Sequence, residues 1–263
     1  MEPRKAASVI LLRDDEVYLV RRHARSSFMR LAFVFPGGGV DPRDDTPELT
    51  AIRELFEETG ILLCREEPSA DRLQQIRERQ AAEQASWDDL LRQEGIHPDP
   101  SKLRFWARWV TPSVEPIRFD AVFFIARLPA GRVPSVDGRE VIDDRWISPR
   151  EALAAHEAGE IQLPPPQLRM LFELGAAQAR GPAAWESIIA DRYDTEARVM
   201  PRFALLGDHR QPALLLPWDP GYATQGTGEA YALQQNHPWA WGPGRFLRGA
   251  DAWHLRSAPA EHL

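Results

Sequence analysis

Residues Phe33 to Leu62 read FVFPGGGVDPRDDTPELTAIRELFEETGIL, three consecutive glycines followed by a segment whose period is helical. Thr46 supplies a capping hydroxyl and Pro47 suits a first helical position. Leu49, Ile52 and Phe56 recur at i, i+3 and i+7, and Gly60 supplies the stop. The spacing predicts a helix over 47–59. On it Glu54, Glu57 and Glu58 stand at i, i+3 and i+4, so their carboxylates share a face opposite the apolar stripe. Such neighbours repel, at a few tenths of a kcal/mol per pair (~0.2–0.5) in an isolated helix, and raise one another's pKa. A positive partner is needed. Arg53 can bond one carboxylate, whereas a set of three suits a hard divalent cation such as Mg²⁺ or Mn²⁺. The turn at Gly37 to Gly39 brings side-chain-free backbone next to this face, where Gly38 and Gly39 can approach a phosphate or metal.

Around this feature the chain alternates strands and helices. ASVILLR and EVYLVRR, flanking Asp14-Asp15, read as a hairpin, and LAFVFPGG as a third strand ending in the glycine turn. Residues 64–100 are rich in Arg, Glu, Gln and Ala, with sparse apolar positions, and fit two amphipathic helices near 71–82 and 86–94. They read as a helical insertion, either a solvated one or a lid or homodimer contact. LRFWARWVTP and RFDAVFFIARLP read as paired strands, with Pro112 and Pro116 confining the turn between them. EVIDDRWISPREALAAHEAG reads as strand, turn and helix, capped by Ser148 with Pro149 first, and LPPPQLRMLFELGA as a further helix. The organisation expected is one α/β unit over 1–175 and a small β-rich appendage over 176–263 packed on it.

Composition narrows the partners. With 263 residues, 43% of them hydrophobic, the chain can bury one sizeable core with additions. A net charge of −7 argues against a nucleic-acid partner. The only cysteine, Cys64, excludes a disulfide framework and suits a reducing compartment, here the cytoplasm. The apolar run Val9 to Leu12 is too short for a signal peptide, and no stretch suggests a membrane span.

Gly39, Asp45 and Arg53-Glu54-Leu55-Phe56-Glu57-Glu58-Thr59-Gly60-Ile61 are spaced as in G-x5-E-x7-R-E-U-x-E-E-x-G-U, and the segment resembles the Nudix box; Asp45 stands where the box has glutamate. FMRLAFVFPGG, the paired strands, EVIDDRWISPREAL and LPPPQ are similar to the acyl-coenzyme A diphosphatase branch of the Nudix hydrolases, loosely from residue 7 to about 175 and faintly to LLLPWDPGY. The resemblance implies an α/β/α sandwich with a mixed sheet and hydrolysis of a nucleoside diphosphate derivative, here coenzyme A (CoA) or acyl-CoA, assisted by Mg²⁺ or Mn²⁺. It implies that Glu54, Glu57 and Glu58 hold metal and that Arg53 orients them. The general base would be a box glutamate or an acid in a later loop, for which Glu140 is the candidate.

CoA also carries a 3′-phosphate, and RRHARSSFMR supplies Arg21, Arg22, Arg25 and Arg30 with apolar Phe28 and Met29 just before the glycine turn. His23 reads as a surface residue. Trp106, Trp109, Phe119 and Phe123 read as core rather than as a ligand platform. The terminal Glu-His-Leu is not the peroxisomal Ser-Lys-Leu signal. Two alternatives stay open: a diphosphatase for ADP-ribose, NADH or a nucleotide sugar, and a non-catalytic nucleotide sensor on the same fold. The clustered acids weigh against the sensor.

Overall fold

The computed structural model describes residues 2–26, 29–190, 197–231, 233 and 237–259; Phe28 and the terminal Glu261, His262 and Leu263 lie outside them. Strands β1 (Arg4–Arg13) and β2 (Glu16–Arg22) form the expected hairpin, with Leu12 opposite Val17. The expected third strand is in fact two. β3 (Phe33–Val34) pairs with β2, and β4 (Gly37–Gly39) pairs with β1, Gly37 facing Ser8. Pro36 separates them because it has no N–H to continue a ladder.

Helix α1 (Pro47–Thr59) has the expected bounds. The Thr46 hydroxyl accepts from Leu49 N–H at 3.3 Å, and Gly60, at φ 73°, closes the helix onto the Phe56 carbonyl. Its apolar face is shifted from the expected stripe. Ala51, Ile52, Leu55 and Phe56 are fully buried, while Leu49 is only half-buried. Two further helices follow, α2 (Ala70–Ala81) and α3 (Trp87–Glu94), as the insertion predicts. Their apolar residues are spent on the α1 side of the core: Leu73, Ile76, Leu90 and Leu91 are buried there, and the Trp87 ring lies 5.3 Å from that of Phe56.

β5 (Arg104–Val110) runs antiparallel to β6 (Phe119–Arg127), and β6 lies parallel to β1, which makes the sheet mixed. β7 (Val141–Ile147) covers the other edge of β2, and α4 (Pro149–Glu157) opens with a Ser148–Glu151 capping box. After α5 (Pro165–Ala179) and α6 (Pro182–Ala190), a second antiparallel sheet of β8 (Arg202–Leu206), β9 (Gln211–Leu215), β10 (Arg245–Arg248) and β11 (Trp253–Arg256) is built, with the one-turn helix α7 (Tyr222–Gln225) between β9 and β10.

Alternation along β1 makes the main sheet the middle layer. Val9 and Leu11 join α1, α2 and α3 on one face; Ile10 and Leu12 join α4 and α5 on the other. The architecture is therefore the α/β/α sandwich with a C-terminal β-rich sheet. The second face extends into that sheet, since Trp106, Leu171 and Leu174 share one cluster with Leu214, Leu216, Trp239 and Phe246. A buried cation ties the two together: Arg169 pairs with Glu173 at 3.0 Å and donates to the carbonyls of Trp239 and Pro243. Among the described residues no helix is long and apolar enough to cross a membrane.

Candidate functional site

The glycine turn and α1 are stitched together at both ends of β4. Gly37 N–H donates to Glu58 Oε2 at 2.9 Å, and the Gly39 carbonyl accepts from Arg53 Nη2 at 3.0 Å. Between them Gly38 lies against the Glu54 carboxylate so closely that a Cβ there would fall 2.4 Å from Glu54 Oε2. Gly38→Ala is therefore expected to push Glu54 aside and lower turnover by about 10²-fold, as misplacement of a reacting group by about an ångström does. Single-turnover assays beside thermal melts check this; unaltered turnover would show that Glu54 need not stay where it is.

Arg53 is the hub. Its guanidinium donates to Glu54 Oε1 at 2.9 Å, Glu57 Oε2 at 3.1 Å and Asp44 Oδ2 at 2.8 Å. Asp44 also accepts from the Thr50 hydroxyl and the Asp41 N–H. Box spacing places the early acid at Asp45, but Asp45 is exposed, and its neighbour Asp44 makes the contact. The Asp44-Asp45 pair was the available signal, though it does not say which of the two turns inward.

Burial of the three glutamates follows their angle on the helix rather than a solvated face. At about 100° per residue the apolar arc runs from Ala51 to Phe56, and Glu58, Glu54 and Glu57 lie about 20°, 60° and 100° outside it. Their exposures follow: 2% for Glu58, 8% for Glu54, and half-buried for Glu57. One oxygen of Glu58 is taken up beneath the turn by the Gly37 N–H. Among the described residues no three His, Cys, Asp or Glu side chains form a closed metal-ligand set.

Glu54 and Glu57 instead line an open cleft of about 890 Å³ together with Gly37, Gly38, Gly39, Arg22, Arg53 and Glu140. Burial, with Glu57 and Glu140 adding and Arg53 opposing, pushes the Glu54 carboxyl up to about 7. Burial also raises Glu57, and raises Glu58 well above the usual range against the opposing Gly37 N–H. One guanidinium shared among Asp44, Glu54 and Glu57 leaves negative charge uncompensated. An all-oxygen donor set facing a cleft and short of cations fits a hard divalent ion.

A stability test follows with a definite sign. The Glu54 pKa is higher in the folded protein than in the unfolded chain, so stability falls as pH rises from about 4.5 to about 7. Glu54→Gln removes that loss. With divalent cations chelated, the variant should exceed wild type by about 1–3 kcal/mol at pH 8 and match it at pH 4, by chemical denaturation. A constant difference across this range would contradict the burial argument.

The remaining expected residues divide. Glu140, just ahead of β7, faces the cleft. Among the described residues of RRHARSSFMR, Arg22 and Met29 reach it, whereas Arg21, Arg25 and Arg30, the expected anion ligands, do not. Strand alternation sends Arg21 away from Arg22, over the Phe33 ring and onto the Leu31 carbonyl, while Arg30 bonds the Ser26 carbonyl and Arg25 is exposed. His23 offers its ring to the Arg25 N–H, away from the cleft. Trp106 is core, as expected; Trp109 and Phe123 are core residues that also wall the cleft, with half-buried Phe119 beside them. Unforeseen contributors are Arg248 and Trp253 on the cleft wall and Gln80 of α2, which donates to Glu57 Oε1. No local pattern marks them.

A family model described as the NUDT19 Nudix domain matches residues 42–174. A Xenopus laevis protein named acyl-coenzyme A diphosphatase NUDT19 is 27% identical over 227 residues, with 61% of this chain and 60% of that protein covered. The Homo sapiens protein of the same name is 34% identical over 145 residues, covering 49% of this chain and 39% of that one. The chain thus spans less than two thirds of these relatives' length. A crystal structure of a NUDIX hydrolase from Alicyclobacillus acidocaldarius superposes with a TM-score of 0.59 at 28% identity, covering 67% of this chain and 92% of that chain. The matched residues take in α1 with its box acids, Arg53 and Glu140, and the chain belongs to the NUDT19 Nudix domain family of Nudix hydrolases.

Proposed function

We propose that this chain is a divalent-metal-dependent diphosphatase that hydrolyses CoA or acyl-CoA to adenosine 3′,5′-bisphosphate and (acyl-)phosphopantetheine. The observation that carries the reading is the contact of Gly38 backbone with the buried Glu54 carboxylate at the floor of a cleft that also presents Glu57, Glu140 and Arg22. The names of the Xenopus and human relatives support the CoA part. Glu54 and Glu57 would hold the cation, and Glu58, one of whose oxygens is given to Gly37, offers at most the other. When bound, the metal neutralises phosphoryl oxygens and lowers the pKa of a water.

The chain's own groups do the rest. Arg53 keeps Glu54 and Glu57 in place and holds the turn through the Gly39 carbonyl. Gly38 and Gly39 let the diphosphate approach without a side chain between, and Arg22 offers forked donors to its oxygens. Glu140 accepts the proton of the attacking water as a new P–O bond forms and the bridging P–O bond breaks, the leaving phosphate carrying the bridging oxygen. The apolar wall of Trp109, Phe119 and Phe123 suits the pantetheine and acyl arm.

The test is a panel of CoA, acyl-CoA esters, ADP-ribose, NADH and diadenosine polyphosphates with Mg²⁺ or Mn²⁺, with products identified by mass. CoA or its esters should be cleaved with the highest kcat/KM. Preference for ADP-ribose or NADH would replace the substrate class, and binding without cleavage would favour the sensor.

A further inference from the structure

The cleft extends past the residues that the family model matches. Pro201, Leu214, Arg248 and Trp253 line it, and all four follow residue 174. Arg248 and Trp253 are directly opposed on β10 and β11, with the guanidinium 5.5 Å from the indole ring centroid. Their strand is held firmly. Buried His156 donates from Nε2 to the Trp253 carbonyl at 2.8 Å and accepts the Leu163 N–H on Nδ1 at 3.2 Å, which fixes β11 against the Pro164–Pro166 part of the cleft wall. One and three residues further on, His254 and Arg256 engage Glu157 of α4.

Charge is distributed unevenly along this cleft. Arg22 lies within electrostatic reach of Glu58 and so belongs with the acids and the diphosphate. Trp109, Phe119 and Phe123 offer an apolar wall. Arg248 is carried with Trp253 by the appended sheet instead. A forked cation beside an indole face does not suit an acyl chain; it matches a planar heterocycle bearing an anionic group.

We propose that Arg248 and Trp253 form the nucleotide-end subsite, in which Trp253 stacks on the base and Arg248 pairs with the phosphate monoester on the adjoining ribose. The assignment rests on the CoA reading for the identity of that phosphate. It moves the origin of CoA preference from the segment before the glycine turn to the C-terminal sheet.

Two measurements test it. Hydrolysis of CoA and of 3′-dephospho-CoA is compared in wild type, Arg248→Ala and Arg248→Lys. Calorimetric binding of adenosine 3′,5′-bisphosphate and of 5′-AMP is compared in the same proteins and in Trp253→Leu and Trp253→Phe, with melting temperatures as the check on folding. Arg248→Ala should cut the preference for CoA over 3′-dephospho-CoA at least tenfold, through KM, and weaken the bisphosphate far more than 5′-AMP, with Arg248→Lys between. Trp253→Leu should weaken both nucleotides alike, and Trp253→Phe should restore part of that loss. If Arg248→Ala keeps the wild-type preference and bisphosphate affinity, the subsite is wrong even though CoA is cleaved. If wild type cleaves ADP-ribose and not CoA, the functional reading fails; bisphosphate binding unaffected by Arg248→Ala would then overturn the subsite, and selective weakening would uphold it.

Discussion

Replacement of Glu57 by glutamine is expected to lower kcat by ~10³-fold at saturating Mg²⁺, a loss of about 4 kcal/mol of transition-state stabilisation. Glutamine keeps the volume and a donor-acceptor head for Arg53 and Gln80, so the shape of the site should persist. What disappears is the negative charge that, on the proposed function, would help hold a cation, and that charge matters most where the transition state gathers its own. The Glu57 side chain is 34% exposed and Arg53 retains Asp44 and Glu54, so the fold should not suffer. Relief of repulsion toward Glu54 should leave the metal-free protein as stable as wild type or more so. Turnover and thermal melts of Glu57→Gln beside Glu54→Gln decide the matter. Near-wild-type rates in both variants would refute the metal assignment.

Asp219→Ala should cost about 3–5 kcal/mol of folding stability, read by urea unfolding, because it strands a buried charge. Asp219 accepts from Arg245 Nε at 2.7 Å and Nη2 at 2.8 Å, and from Gly221 N–H at 2.8 Å, with its side chain fully buried and that of Arg245 only 6% exposed. Removal leaves the guanidinium in the interior with nothing to offset its desolvation. Asp219→Asn, which can still accept from Gly221 N–H, should lose less. Arg245 opens β10, three residues before Arg248, so the same substitution should also loosen the proposed nucleotide-end wall and raise KM. A loss below about 1 kcal/mol would be the behaviour of an exposed pair and would contradict the burial of this one.

These two residues were legible to different degrees, and the contrast is physical. Helix α1 could be bounded to the residue from its sequence, since Thr46, Pro47 and Gly60 act on the backbone within one turn and Ile52 and Phe56 recur at helical period. Arg53, Glu54 and Glu57 are close for the same reason: on a helix, neighbours one to four residues apart meet wherever the helix is placed. The insertion helices and the Ser148 cap are equally local.

Everything that depends on register between distant segments was decided elsewhere. Whether Asp44 or Asp45 meets Arg53 depends on the path of the loop ahead of α1, and one oxygen of Glu58 is bonded because β4 brings the Gly37 N–H over it. Arg22 rather than Arg21 enters the cleft because pairing with β3 and β7 fixes which face of β2 each side chain takes, and Arg25 and Arg30 lie past the end of that strand. Arg248 and Trp253 carry no local mark at all. The sequence by itself determined the helix, its acids and their hub, through interactions within a turn or two of chain; the tertiary structure alone determined which acids and arginines face the cleft, because burial and strand register are set by partners tens to hundreds of residues away.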